Sequence, residues 1–187
     1  MKTKYIPVVA ALILMGATVE AQEKTAQMPV TTKRALGTMP ALVHGKPEQV
    51  IFGKVPLLET YHAMASNIPL EHNGQTYYYN DGNFFIFNGG RYLLVMPPNG
   101  MAIQTLPKSM EQVGNETFYV KGIFYKKGTK GYAVTKQPQG AIVYGLPYMT
   151  DVVTIGNEAY YEYLGVLYKR VFVQGEQAFE VVGELVQ

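Results

Sequence analysis

The chain has 187 residues, 48% of them hydrophobic and 16% charged, with a formal net charge of +2, so it sits within the range of ordinary globular proteins. That length excludes a large multidomain enzyme, and the near-neutral charge without a Lys/Arg cluster argues against nucleic acid, whose binding draws on phosphate neutralisation. No cysteine is present, which removes disulfides, thiolate nucleophiles and Cys-ligated zinc, and two serines and two aspartates beside fifteen tyrosines and nineteen glycines describe a strand-and-turn protein with little catalytic equipment.

Lys2 and Lys4 precede the apolar run Ile6 to Met15, followed by Val19-Glu20-Ala21. A positive flank, a short apolar core and a small-residue cleavage pattern predict a signal peptide over 1–21 and an exported chain beginning at Gln22; the run is too short to span a bilayer. Export without cysteine suits a bacterial periplasm or exterior. No later run has membrane length. Residues 22–45, with Gln, Thr, Lys, Pro and Gly and few large apolar side chains, read as a flexible tether, and Thr31-Thr32-Lys33-Arg34 as a solvated patch. The lead-in over 46–69 admits a strand at Gln49–Val55 and a short helix from Pro56 to Ala65, whose Leu57, Tyr61 and Met64 follow the i, i+4, i+7 spacing.

The remainder, 70–187, repeats. Gly74-Gln75-Thr76-Tyr77-Tyr78-Tyr79-Asn80-Asp81-Gly82 aligns with Gly114-Asn115-Glu116-Thr117-Phe118-Tyr119-Val120-Lys121-Gly122 without a gap, and the same offset carries Tyr92 onto Tyr132, Pro98 onto Pro138 and Leu106-Pro107 onto Leu146-Pro147. A third, shortened copy starts at Gly156-Asn157-Glu158-Ala159-Tyr160-Tyr161 and continues, after one inserted residue, at Gly165. The expected copies are 70–109, 110–150 and 151–187. Within each, β-rich runs alternate with turn signals such as Asp81-Gly82 and Pro97-Pro98-Asn99-Gly100. The predicted fold is therefore all-β: about three tandem 40-residue β-meander or hairpin repeats with small, SH3-like barrel curvature, the alternative closure being a β-trefoil.

The pattern Tyr77-Tyr78-Tyr79-x-x-Gly82-x-Phe84-Phe85, Gly90-x-Tyr92, Pro97-Pro98-x-Gly100 and Leu106-Pro107, followed by a second copy, resembles an uncharacterised bacterial family of exported proteins with tandem Tyr/Gly/Pro-rich β-repeats, a domain of unknown function. The resemblance implies an all-β cell-envelope protein and brings no catalytic residues. It covers about 70–147 well and 156–187 loosely, the third copy lacking the Pro-x-Gly and Leu-Pro signals.

Catalytic constellations are poorly supplied. Neither Ser66 nor Ser109 lies in a G-x-S-x-G elbow, and His44, His62 and His72 match no metal-ligand spacing. Glu71 and Asp81 flank the first hairpin and form the one carboxylate pair a hydrolase reading can use, although Asp81 is explained by its turn and is replaced by Lys121 in the second copy. No enzyme, metal or cofactor is expected. Binding has better material, because side chains alternate along a strand and a Tyr-rich run must show rings on both faces. If Tyr79, Tyr119 and Tyr161 build the core, then Tyr78, Phe118 and Tyr160 form a candidate ligand platform for an envelope glycan or an envelope protein. The leading expectation is a non-enzymatic structural or interaction protein of the bacterial envelope, with a glycan- or peptidoglycan-binding module and a carboxylate-pair hydrolase as alternatives. Lys126-Lys127 and Lys169-Arg170 fall at equivalent places and are candidate cations for anionic partners, an idea weakened by the first copy, which has no cation there.

Overall fold

The computed structural model describes residues 30–33, 38–52, 57–64 and 66–186, and every regular element among them is a β-strand. Four strands lead in: β1 (Val30–Lys33), β2 (Thr38–Val43), β3 (Lys46–Phe52) and β4 (Leu57–Tyr61). A first meander follows, β5 (Ile68–His72), β6 (Gln75–Asn80), β7 (Asn83–Asn88) and β8 (Arg91–Val95), with short β9 (Ala102–Ile103) after it. The second is β10 (Glu111–Gln112), β11 (Thr117–Val120), β12 (Ile123–Gly128) and β13 (Gly131–Thr135), followed by short β14 (Ile142–Val143). The third is β15 (Asp151–Ile155), β16 (Glu158–Tyr163), β17 (Val166–Val173) and β18 (Glu176–Leu185).

Aromatic and β-branched runs make the strands, and two-residue turns join the central hairpins. At Asp81-Gly82 both residues have positive φ, 43° and 91°, and Lys121-Gly122 (46°, 89°) and Leu164-Gly165 (47°, 89°) repeat the geometry. This is the type I′ turn, whose twist matches the flanking strands. Leu164 accepts an unfavourable φ because its side chain packs against the core.

Three sheets result. The first runs β1-β4-β8-β7-β6-β5, the second β10-β11-β12-β13-β9, and the third β14-β18-β17-β16-β15-β3-β2, in which β2 pairs back onto β18. Strands β2, β3 and β15 to β18 thereby close a six-stranded antiparallel barrel, flanked by β14. A trefoil barrel would take strands from all three meanders; this one takes only the third plus two lead-in strands, so the trefoil alternative is excluded.

The sheets are sewn in series. The short strand left over from one meander pairs with the last strand of the next: Ile103 opposite Tyr132, Val143 opposite Phe179. Strand β4 does the same for the first sheet, with Tyr61 opposite Tyr92. Tyr92, Tyr132 and Phe179 share one register position, facing Phe87, Lys127 and Arg170 across their hairpins.

The cores follow this handover. One cluster joins Phe85 and Leu94 to Tyr119, Phe124, Tyr168 and Phe179, and so draws on all three meanders. A second unites Tyr79 and Phe84 with Ile123, Tyr125 and Ile103. A third, with Val50, Val153, Leu167 and Val182, fills the barrel.

Three expectations need correction. The helix over 56–65 is replaced by β4, since pairing with β1 and β8 satisfies its backbone and sets Tyr61 edge-on against Phe85 at 5.3 Å. The tether over 22–45 does not reach its last residues, because β2 is a barrel strand whose Ala41 and Val43 are buried; a strand with one face inward needs few apolar residues. The earlier part of the tether and the signal peptide over 1–21 lie outside the described residues, apart from Val30–Lys33, whose backbone pairs with β4.

The third correction concerns frame. Ile155 faces Glu158 across the Gly156-Asn157 turn as His72 faces Gln75 across Asn73-Gly74, so Gly156 occupies the place of Asn73 and not of Gly74. Further along, Tyr163 faces Val166 as Val120 faces Ile123 and Asn80 faces Asn83. Hence Tyr161, not Tyr160, is the register equivalent of Tyr78 and Phe118, and no residue is inserted relative to the first meander.

Candidate functional site

The three platform candidates do not share a surface. Phe118 and Tyr160 are buried, at 9% and 7% exposure, and Tyr78 is half-buried. Tyr78 packs on the central cluster with its ring perpendicular to Tyr92 at 5.1 Å, whereas Phe118 meets Tyr132 at 5.4 Å in the core between the first two sheets. Tyr160 belongs to the barrel core, donates its hydroxyl to Glu158 Oε2 at 2.9 Å and lies 5.8 Å beneath Lys169 Nζ. The three rings do not form one platform because Phe118 is covered between the first two sheets, Tyr160 turns into the barrel and Tyr78 packs on the central cluster. On the opposite faces Tyr79 and Tyr119 are buried, and Tyr161 is half-buried edge-on to Phe179 at 5.2 Å.

The buried rings bring polar atoms inside. Burial pushes the Tyr79, Tyr119, Tyr125 and Tyr168 hydroxyls above the usual phenol range. Tyr119 donates to the Gly145 carbonyl at 3.0 Å, while the Tyr125 hydroxyl has no hydrogen-bond partner among the described residues. At the register place of Tyr79 and Tyr119 the third meander has Glu162, 3% exposed, which accepts from the Gly165 amide at 2.7 Å.

The other candidates stay apart. Glu71 accepts from the Thr76 hydroxyl and Asp81 Oδ2 from Lys121 Nζ at 2.8 Å, each at an exposed position. Ser66, Ser109, His44 and His62 are exposed, His72 is half-buried at the end of β5, and among the described residues no three His, Cys, Asp or Glu side chains gather as a metal site. No helix among them is long and apolar enough to cross a membrane.

Exposed aromatic surface and polar groups meet elsewhere, in a cleft of about 250 Å³ where the three sheets adjoin. Tyr61 from β4 and Tyr163 from the end of β16 form walls, Asn83 and Lys121 supply polar groups, and Tyr148 stands at the rim, 78% exposed. The walls are fixed: Tyr61 rests on Phe85, and the Tyr163 ring lies against Gly122, where a Cβ would collide with it. Tyr148 is carried by a turn in which Thr150 donates its amide (3.1 Å) and its hydroxyl (2.6 Å) to the Pro147 carbonyl. Lys121 is neutralised at the edge by Asp81. The sequence holds one trace of this site: Leu146-Pro147 is followed by Tyr148 where Leu106-Pro107 is followed by Lys108. A larger recess, about 420 Å³, opens between β5 and β9 and is walled by Ile68, Leu70, Ile103 and the mostly buried Tyr79, with Gln104, Thr105 and Lys130 beside them.

A family model described as a family of unknown function, DUF6515, matches residues 56–184. No curated protein and no solved structure matches the chain.

Proposed function

Since the chain belongs to this family of unknown function, its role has to be read from its own residues, and we propose that it is an exported, non-enzymatic structural or interaction protein of a bacterial cell envelope. The observation that carries this reading is the handover between sheets: β4, β9 and β14 each complete a sheet built by a different meander, and the aromatic residues that dominate the sequence form the cores across those joins. A chain built this way joins three tandem Tyr-, Gly- and Pro-rich copies that cannot fold singly into one interlocked scaffold. Its partners are envelope glycans or proteins, and its leader directs it there.

Two measurements test the proposal. Mass analysis of protein from the extracytoplasmic fraction should find a chain beginning at Gln22; an intact Met1 in the cytoplasm defeats export. Truncation after residue 150, which removes the partner of β14, should abolish cooperative melting of the remainder, whereas an unchanged melt defeats the interlocked scaffold.

A glycan-binding role has one specific observation in its favour, the tyrosine cleft, which takes the place of the Tyr78, Phe118 and Tyr160 platform.

A further inference from the structure

We infer that the cleft between Tyr61, Tyr148 and Tyr163 binds one neutral sugar ring, the terminal unit of a glycan; this rests on the interaction reading above and gives it a site and a ligand class. A pyranose has two chemically different surfaces, apolar C–H faces and a rim of hydroxyls. The cleft matches both. Tyrosines offer flat apolar faces with polar tips; here Tyr163, 5% exposed, forms the floor, half-buried Tyr61 a side wall, and Tyr148, 78% exposed, the open stacking face at the rim. Asn83 adds an amide that both donates and accepts, and Lys121 adds a donor.

Charge decides which sugar. Among the described residues Lys121 is the one cation lining the cleft, and it is 2.8 Å from Asp81, so the site presents a compensated pair and offers no net attraction to a sugar acid or a phosphate. Size decides how much of a glycan enters. At about 250 Å³ the cleft falls below the range of roughly 300–1,000 Å³ typical of pockets for drug-sized ligands, which fits one ring and not an extended chain. The 420 Å³ recess near β9 is the larger space, but the ring that lines it, Tyr79, is 8% exposed and presents no open face to stack on.

The site also belongs to the assembled fold and to no single meander. Tyr61 comes from the lead-in, Asn83 from the first meander, Lys121 from the second, Tyr148 from the connector and Tyr163 from the third. The interlocking that forms the scaffold thereby also forms the binding site.

The test uses the full exported chain, isotope-labelled, titrated with glucose, N-acetylglucosamine and the N-acetylglucosamine pentamer while amide resonances are followed. At least one of these should shift resonances around the cleft, with monomer and pentamer of the preferred sugar binding about equally, since one ring is held. Added salt should change the affinity little. Tyr148→Ala should weaken binding about tenfold, the loss of one stacking surface, with the melting temperature unchanged because the ring is exposed. Tyr148→Phe should retain most of the affinity. Absence of any shift across the panel, binding indifferent to Tyr148→Ala, or a preference for an anionic polymer that salt abolishes would each overturn the inference. None of these outcomes bears on the truncation melt, so the scaffold reading stands or falls separately.

Discussion

The tips of the first two meanders and the tip of the third have the same backbone and different surroundings. Gly82, Gly122 and Gly165 all sit near φ 90° as the second residue of a tight turn. A Cβ on Gly82 would meet Val120 Cγ1 at 2.7 Å with Pro107 beside it, and one on Gly122 would enter the Tyr163 ring with Pro147 beside it. A Cβ on Gly165 would meet no heavy atom of the described residues within 4 Å. Val120 and Tyr163 hold the same register position in successive meanders, so the first two tips dock on the next sheet in one manner, while no sheet among the described residues packs on the third tip's glycine. A turn glycine therefore answers to two separate demands here: conformation at all three tips, close approach at two.

Substitution should pull these demands apart. Gly122→Ala is expected to cost about 3–5 kcal/mol, combining positive-φ strain with overpacking against Tyr163, and Gly82→Ala somewhat less because Val120 is smaller and can yield. Pairing Gly122→Ala with Tyr163→Ala should recover part of the loss, a coupling of about 1 kcal/mol or more in a double-mutant cycle. Additive melts would show that the tip does not dock on the ring.

The joins behind the docked tips sharpen the same contrast. Tyr125 is fully buried between the first and second sheets, so Tyr125→Ala should cost about 3–5 kcal/mol. Its hydroxyl has no partner, and Tyr125→Phe should be neutral or stabilising by up to about 1 kcal/mol. Denaturant melts of the two variants should straddle the wild type. If Phe is as harmful as Ala, the hydroxyl is bonded after all.

Alkali should attack these joins collectively. The Tyr79, Tyr119, Tyr125 and Tyr168 pKa values are raised in the fold above the ordinary 10.0, so the unfolded chain loses these protons first. Their contribution to stability is complete below pH 10 and is lost as pH climbs from there toward the folded values. Ultraviolet titration should show the buried set ionising only with unfolding, seen by circular dichroism. A smooth titration of all tyrosines with the fold intact would contradict the burial.

How much of this is legible in the sequence depends on distance along the chain. Asp81-Gly82 and Lys121-Gly122 are readable because a type I′ turn is specified by the two residues that make it. The all-β class and barrel-like curvature follow from the same local signals. The third frame is misread because Gly156-Asn157 reverses the order of Asn73-Gly74, and aligning glycine on glycine shifts every ring in β16 by one, which exchanges its faces. Strand β4 imitates a helix because Leu57, Tyr61 and Met64 happen to fall at helical spacing; its pairing with β8, more than thirty residues on, is what decides. The handover strands β9 and β14 have two residues each, too few for any periodicity. The tyrosine cleft draws on five separate stretches, so no window of sequence contains it.

Gly165→Ala gives the baseline for the comparison, about 1 kcal/mol from backbone conformation alone, since the added methyl meets open space. The smallest expected effect lies at the first tip itself. Asp81 and Lys121 occupy the same turn position in successive meanders and pair with each other at 2.8 Å, but the position after Lys121 in this series is Leu164, which has no charge to offer. The ion pair is thus peculiar to the first join and is no part of the docking that both joins share. Its side chains are 69% and 38% exposed, so solvent screens the attraction. Asp81→Asn, which keeps a residue tolerant of positive φ, should cost about 0.5 kcal/mol or less and lose even that at high salt. A loss comparable to that of Gly82→Ala would mean that charge, and not the approach of backbone to Val120, holds the first tip in place.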